Sequence, residues 1–349
     1  MALQPVLKHS RVLRRHLSTR TQVMTETSVF LEEIAMASTP PRLEALMRVL
    51  VARGEKPLSP SSRTGLHPLL IPLSLKPQQP GSSSSDGSSS GSSEVVTCLL
   101  RWPEPSAVKG MSLPVVEMTR GALGMSLVAR SVDECLHRLL AQEDSEAGVG
   151  PRPFAAACGP EGRELYPPGA LLAHDPAGRL PIYLVKRCGL FPDVCEALCE
   201  GHLGRGDKTS ALVAAEWYSR SGNFPSWGRP LRVLLLALHE AGTARGGQGH
   251  GPRGTAHALL QALAQLDGTP EQVRFQLSDQ GSAAASAQVT KFAYKEPRSD
   301  REVAVDAAAK ILDLVAAGSA GSYDDIRDKL ASAYREGGLT DIANFIAAA

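Results

Sequence analysis

Acidic residues are missing from the first 25 positions of this 349-residue chain, long apolar runs are missing everywhere, and cysteine is scarce at six. Each absence removes a class of protein. No stretch reaches the roughly 18 apolar residues of a membrane-crossing helix. The best candidate, around Val233 to Leu238, is broken by Arg232 and His239, so membrane contact would be peripheral. Six cysteines without a secretory apolar region imply reduced thiols, not a disulfide framework. Gly-x-Ser-x-Gly and His-Glu-x-x-His are absent, and with them two common hydrolase signatures.

What occupies the acid-free leader is informative. It carries Lys8, Arg11, Arg14, Arg15 and Arg20, with Leu3, Val6, Leu7, Val12, Leu13 and Leu17 able to form an apolar face. That is the composition of an organelle transit peptide, assigned here to residues 1–23. Arg14 to Arg20 would equally suit a mitochondrial address, so the mitochondrial matrix is the alternative location. Removing the leader turns the formal charge of +1 into −4, whereas a general nucleic-acid binder should be basic. The full chain is 43% hydrophobic, enough to bury at least one sizeable core.

The periodicity predicts an α+β protein: a small N-terminal sheet with a covering helix, followed by an all-α irregular solenoid or helical bundle. Residues 24–75 read as a helical and extended segment. Val29, Phe30 and Ile34 share one helical face and Leu43, Leu46, Met47 and Leu50 another, and Pro40-Pro41 separates the two helices and can start the second. Leu66 to Leu73 contains Pro68 and Pro72, which favours an extended segment on a surface or sheet edge. Residues 76–93, almost all Pro, Gln, Gly and Ser, read as a disordered linker.

Residues 94–190 read as a small α+β domain. Strands are expected at Glu94–Trp102, Leu113–Thr119 and Met125–Arg130. Ser131 and Glu134 have capping-box spacing, and the helix they open should reach about Glu143 and bury Val132, Cys135, Leu136 and Leu139. A Gly/Pro-rich connection follows, with a short extended pair expected near Arg163–Leu165 and Ile182–Leu184. Residues 191–349 read as helical: Asp193–Leu203, Asp207–Ser219, Pro230–Ala241, Gly254–Leu266, Pro270–Leu277, Arg301–Ala316, Tyr323–Glu336 and Leu339–Ala348, interrupted by a flexible insertion from Gly242 to Gly254.

Two turns in this half share a spacing, Gly206 before Ala211 and Gly338 before Ala343. Glycine allows a tight reversal, and alanine lets the second helix approach the first. The last hairpin, Ala333-Tyr334 to Ala343, resembles tetratricopeptide-type repeats; the first matches at Gly206, Ala211 and Tyr218 but has Gly201-His202 in place of Ala-Tyr. The turns lie 132 residues apart, so the tandem period of about 34 residues is not kept. The resemblance implies an irregular helical-hairpin domain that docks proteins. The mature region also resembles poorly characterised plastid proteins of plants and green algae, through Thr97 to Pro103, Leu113 to Glu117, Ser131 to Arg138 and Gly189 to Val194. That likeness implies the chloroplast, in the stroma or peripherally at the thylakoid, and supplies no catalytic residues.

Phe224, Trp227 and Arg229, in the loop Phe224 to Pro230, are the expected partner-binding residues, because Trp and Arg dominate binding hot spots; aromatics folded back into a core are the alternative. Cys195, Cys199 and His202 fall on one helical face with Cys188 nearby, the donor types of a zinc site, but the Cys-x2-Cys knuckle is absent and cysteine is also an ordinary core residue. Gly201 to Thr209 superficially resembles a phosphate loop, yet Asp207 stands where phosphate would sit and reads instead as a helix cap. Arg245 and Arg253 in the Gly-rich insertion give too little charge for RNA. His67, His137, His239 and His257 have no paired nucleophile at a suggestive spacing.

The functional expectation is a non-enzymatic organelle factor that binds proteins and assists assembly or maintenance of a photosynthetic complex, with no cofactor. An enzyme or redox protein using Cys195, Cys199 or His202, and an organelle RNA-associated factor, are the alternatives.

Overall fold

A computed structural model describes residues 23–77, 94–104, 110–147, 150–189, 191–205, 207, 210, 299–316 and 320–348. Its contacts divide into two compact units: Met1–Ala122 with Ala129–Gly178 and Thr340–Ala349, and Leu123–Val128 with Arg179–Leu339. The chain is α+β.

In the first unit, α1 covers residues 23–29 and ends in a π-helical turn, Phe30–Ile34. Ala35 N–H donates to Phe30 O at 2.9 Å there, the five-residue spacing of a π turn. Next comes α2, Leu43–Ala52, whose Leu43, Leu46, Met47 and Leu50 are buried as the periodicity requires. Leu43 N–H bonds to Pro40 O at 3.0 Å, so the proline pair does launch this helix.

The strands are β1 (Lys56–Pro57), β2 (Leu70–Leu75), β3 (Val95–Leu100), β4 (Val115–Thr119) and β5 (Met125–Ala129). They form one sheet in chain order, with antiparallel pairing along β1 to β4. Strand β2 lies inside the sheet, not at its edge as its prolines suggested. The sheet tolerates Pro72, which lacks a donor, because β1 pairs only with Ser74 and Leu75 and the register with β3 shifts between Pro72 and Ser74. Beneath these strands the buried Glu55 carboxylate accepts hydrogen bonds from Ser74 (2.5 Å) and Thr97 (3.1 Å) and pairs with Arg53 at 3.3 Å. Buried polar groups on two strands are thus satisfied by one anion.

Helix α3, Val132–Ala147, buries the four residues expected of it. Glu134 N–H bonds to Ser131 Oγ at 3.2 Å, and the Glu134 carboxylate reaches back to Arg130 N–H at 2.6 Å, a capping arrangement displaced by one residue. Three short helices follow: α4 (Pro153–Cys158), α5 (Pro160–Leu165) and α6 (Ala170–His174). The second unit contains α7 (Leu180–Arg187), α8 (Pro192–Gly204), α9 (Asp300–Ala316) and α10 (Arg327–Glu336). The expected extended pair is therefore helical at both places, in α5 and α7. Pro160 and Pro181 sit in their first turns, where proline's fixed φ favours a helix start.

In the second unit α7 packs on α8 and α9 on α10. A Cβ at Gly337 would lie 2.3 Å from the Ala304 Cβ, so glycine is needed there for close approach. Gly338 has φ +71°, the left-handed reversal expected of it. The hairpin beginning at Gly206 and the helices expected between residues 211 and 298 lie outside the described residues.

The last helix, α11 (Thr340–Ala347), belongs to the first unit and packs on α1. Its Phe345 ring meets Phe30 edge-on at 6.2 Å. The Phe345 carbonyl, left without an intrahelical partner at a helix C-terminus, accepts a 2.6 Å bond from Arg63 Nη1. Arg63 is fully buried. It also donates from Nε to Leu70 O at 3.1 Å and from Nη2 to Pro68 O, and its guanidinium lies 4.0 Å from the Phe345 ring centre. A second buried arginine, Arg101, donates from Nε to Ala35 O at 2.7 Å. Burial pushes its pKa down, an effect opposed by Asp341 in the first turn of α11.

Phe345→Ala is expected to destabilise the first unit by about 3–5 kcal/mol through lost packing and cavity formation. Combined with Arg63→Met, the loss should be smaller than the sum of the single effects, because one substitution removes the other's partner. Urea unfolding of the four proteins in the cycle measures both; strict additivity would rule out the coupling.

Candidate docking pocket

The C-terminal half of α3 carries adjacent carboxylates, Glu143 and Asp144, both buried. Glu143 accepts the Phe154 and Ala155 amide N–H groups at 2.5 and 2.9 Å, capping the first turn of α4. Asp144 Oδ2 accepts the Tyr166 hydroxyl at 2.6 Å and Gly169 N–H at 3.1 Å, while Oδ1 lies 2.6 Å from Arg152 Nη2. The Tyr166 oxygen accepts Leu171 N–H at 2.9 Å. Two charged groups from one helix therefore hold α4, the loop after α5 and the start of α6.

Helix α5 is tied to α2. Arg42 spans Asp133 on α3 (2.7 Å) and Glu164 on α5 (2.9 Å); Arg48 reaches Glu161 at 3.4 Å and Ala157 O at 2.9 Å. Between α3, α4 and α5 remains an open pocket of about 240 Å³. Leu140, Ala155, Ala156 and Tyr166 supply apolar wall; Arg152 and the exposed Arg163 supply cationic groups. The two carboxylates accept amide and phenol hydrogens, and Asp144 Oδ1 faces the Arg152 guanidinium as an ion pair. A separate apolar surface exists on the π turn, where Val29, Ile34 and Met36 are 45%, 36% and 55% exposed and Met36 has φ +47°.

Of the residues singled out from sequence, Cys188, Cys195 and His202 do not line the pocket. Phe224, Trp227 and Arg229 fall outside the described residues. Cys188 and Cys195 are buried, and the Cys199 side chain is not among those described. His202 Nδ1 lies 3.3 Å from Asp207 Oδ2. Among the described residues no group of three His, Cys, Asp or Glu side chains is placed to hold a metal ion. Asp207 accepts Ser210 N–H at 3.1 Å, as a cap should. Bonds from Ser210 hold the Asp207 carboxyl below its ordinary pKa.

Sequence reasoning passed over the pocket because 148–178 reads as a Gly/Pro-rich connection. Pro153 and Pro160, each at a helix N-terminus, were the available signal.

An Arabidopsis thaliana protein named "Protein IN CHLOROPLAST ATPASE BIOGENESIS, chloroplastic" is 34% identical over 343 residues, 95% of this chain and 94% of the relative. The class is thus a chloroplast assembly factor, and the location is the chloroplast. The chain belongs to the PAB family: residues 25–187 match the PAB N-terminal model, 192–243 the PAB middle domain and 271–349 the PAB C-terminal domain. Tetratricopeptide repeats are not shown by these matches. No solved structure matches the chain, and no described helix is long and apolar enough to cross a membrane.

Burial governs the thiols. It pushes the Cys135 thiol up to about 12 and the Cys98 thiol higher still, and it raises Cys158 with help from the Glu161 charge. Alkylation requires thiolate. Iodoacetamide at pH 8 should therefore leave Cys98, Cys135 and Cys158 unmodified in the folded chain and label all three after denaturation, read by peptide mass spectrometry. Labelling of Cys98 or Cys135 in the folded protein would contradict this burial.

Proposed function

We propose that this protein assists assembly or maintenance of the chloroplast ATPase by binding one of that complex's proteins in the stroma or at the thylakoid surface. The observation that carries the reading is full-length similarity to a protein named for chloroplast ATPase biogenesis. Matching across 95% of one chain and 94% of the other means that all three PAB segments are retained, in order. Residues 1–23 serve as the transit peptide, and the formal charge of −4 that their removal leaves suits a protein partner better than RNA.

Within the helical half, the loop carrying Phe224, Trp227 and Arg229 is the contact element. Tryptophan and arginine pair large contact area with directional bonding, the combination that concentrates binding energy in few residues.

In a line lacking the protein, the chloroplast ATPase should fall several-fold while its transcripts stay at normal levels. Affinity purification from intact chloroplasts should recover an ATPase subunit, and Trp227→Ala with Arg229→Ala should lower that recovery at least fivefold. Normal ATPase abundance in the line lacking the protein would overturn the functional reading. Recovery unaffected by the double variant would overturn the choice of contact loop alone.

A further inference from the structure

We propose that the pocket between α3, α4 and α5 receives one aromatic side chain of the protein partner, carried beside an acidic residue. The proposal deepens the binding function above and rests on it.

Size comes first. At about 240 Å³ the pocket falls below the roughly 300–1,000 Å³ of small-molecule and cofactor sites, but it suits one large side chain. The floor cannot shrink to nothing: a Cβ on Gly162 would lie 2.8 Å from Cys158 Sγ and 3.2 Å from Leu140 Cδ1, so the packing below it is already tight. Leu140, Ala155, Ala156 and the Tyr166 ring give an apolar seat. Tyr166 is locked through its hydroxyl by Asp144 and Leu171 N–H, and the wall is therefore pre-organised, which lowers the entropy lost on binding.

Charge selects the neighbour. The two carboxylates lining the pocket are 5% and 4% exposed; they already hold amide and phenol donors, and Asp144 is ion-paired with Arg152. The acids of α5, Glu161 and Glu164, are paired with Arg48 and Arg42. Arg163 is different: it is exposed, lines the pocket and has no ion pair among the described residues. A guanidinium so placed attracts a carboxylate and an aromatic face alike. An acidic neighbour on the incoming segment meets Arg163 while the ring enters between Ala155 and Ala156.

The test uses the whole chain and three N-acetylated, C-amidated peptides: Asp-Trp-Asp with 5-fluorotryptophan, Asp-Leu-Asp, and Lys-Trp-Lys with the same label. Fluorine NMR should show Asp-Trp-Asp broadened and shifted by the protein and Lys-Trp-Lys at least tenfold weaker; Asp-Leu-Asp should compete at least fivefold less well than unlabelled Asp-Trp-Asp. Ala156→Trp, which fills the pocket from an exposed position, and Arg163→Glu, which reverses the charge at an exposed position, should each weaken Asp-Trp-Asp at least fivefold with unchanged thermal unfolding. No binding by the wild-type chain, or equal binding by wild type and both variants, would overturn the proposal. Equal competition by Asp-Leu-Asp would overturn the aromatic assignment. These readouts stand apart from ATPase abundance in the line lacking the protein, so the pocket and the functional reading fail separately.

Discussion

The buried guanidinium of Arg63 connects two parts of the first unit that are far apart along the chain, the entry to β2 and the last helix. It donates to carbonyls at Pro68 and Leu70, at the entry to β2, and to Phe345, 282 positions away. A buried charge without partners would be strongly unfavourable, so Arg63 can be buried only if α11 delivers its C-terminal carbonyl. The helix in turn gains a cation at the negative end of its dipole and seats Phe345 against Phe30. Asp341 near the other end of α11 faces the second buried arginine, Arg101. The first unit therefore has no complete core until the final residues of the chain have been made.

The same economy of charge runs through the rest of that unit. Glu55 bridges β2 and β3, Glu143 caps α4, and Asp144 fastens Tyr166 and Gly169. Each of these anions accepts hydrogen bonds inside the protein, and Asp144 adds an ion pair with Arg152. What they leave over is shape, a pocket sized for one side chain with a cation at its edge. Buried carboxylates that accept backbone amide and phenol hydrogens are a physical way to hold a short helix such as α4 in place.

The three PAB segments match residues 25–187, 192–243 and 271–349 in order. Much of the fold was legible beforehand. The β-branched and aromatic content of Glu94–Trp102 marked β3, strands were expected where β4 and β5 fall, the i, i+3, i+4 spacing marked α2 and α3, and the reversal at Gly338 followed from glycine's freedom at positive φ. Less legible were α5 and α7, where short segments read as extended although Pro160 and Pro181 favoured helix starts. Pro72 misled for a related reason. Proline weakens a strand only where a partner needs its missing N–H, and whether one does depends on where β1 stops.

The amino-acid sequence by itself determined the chain's α+β character and the faces of its principal helices, because these are properties of neighbouring residues and their periodicity. The tertiary structure alone decided that the last helix completes the first unit, that Arg63 and Phe345 are partners, and that Tyr166, Ala156 and Arg163 border one cavity. Those outcomes depend on chain reversals and on desolvation at contacts between residues distant in the sequence, and no local pattern encodes where two such residues will meet.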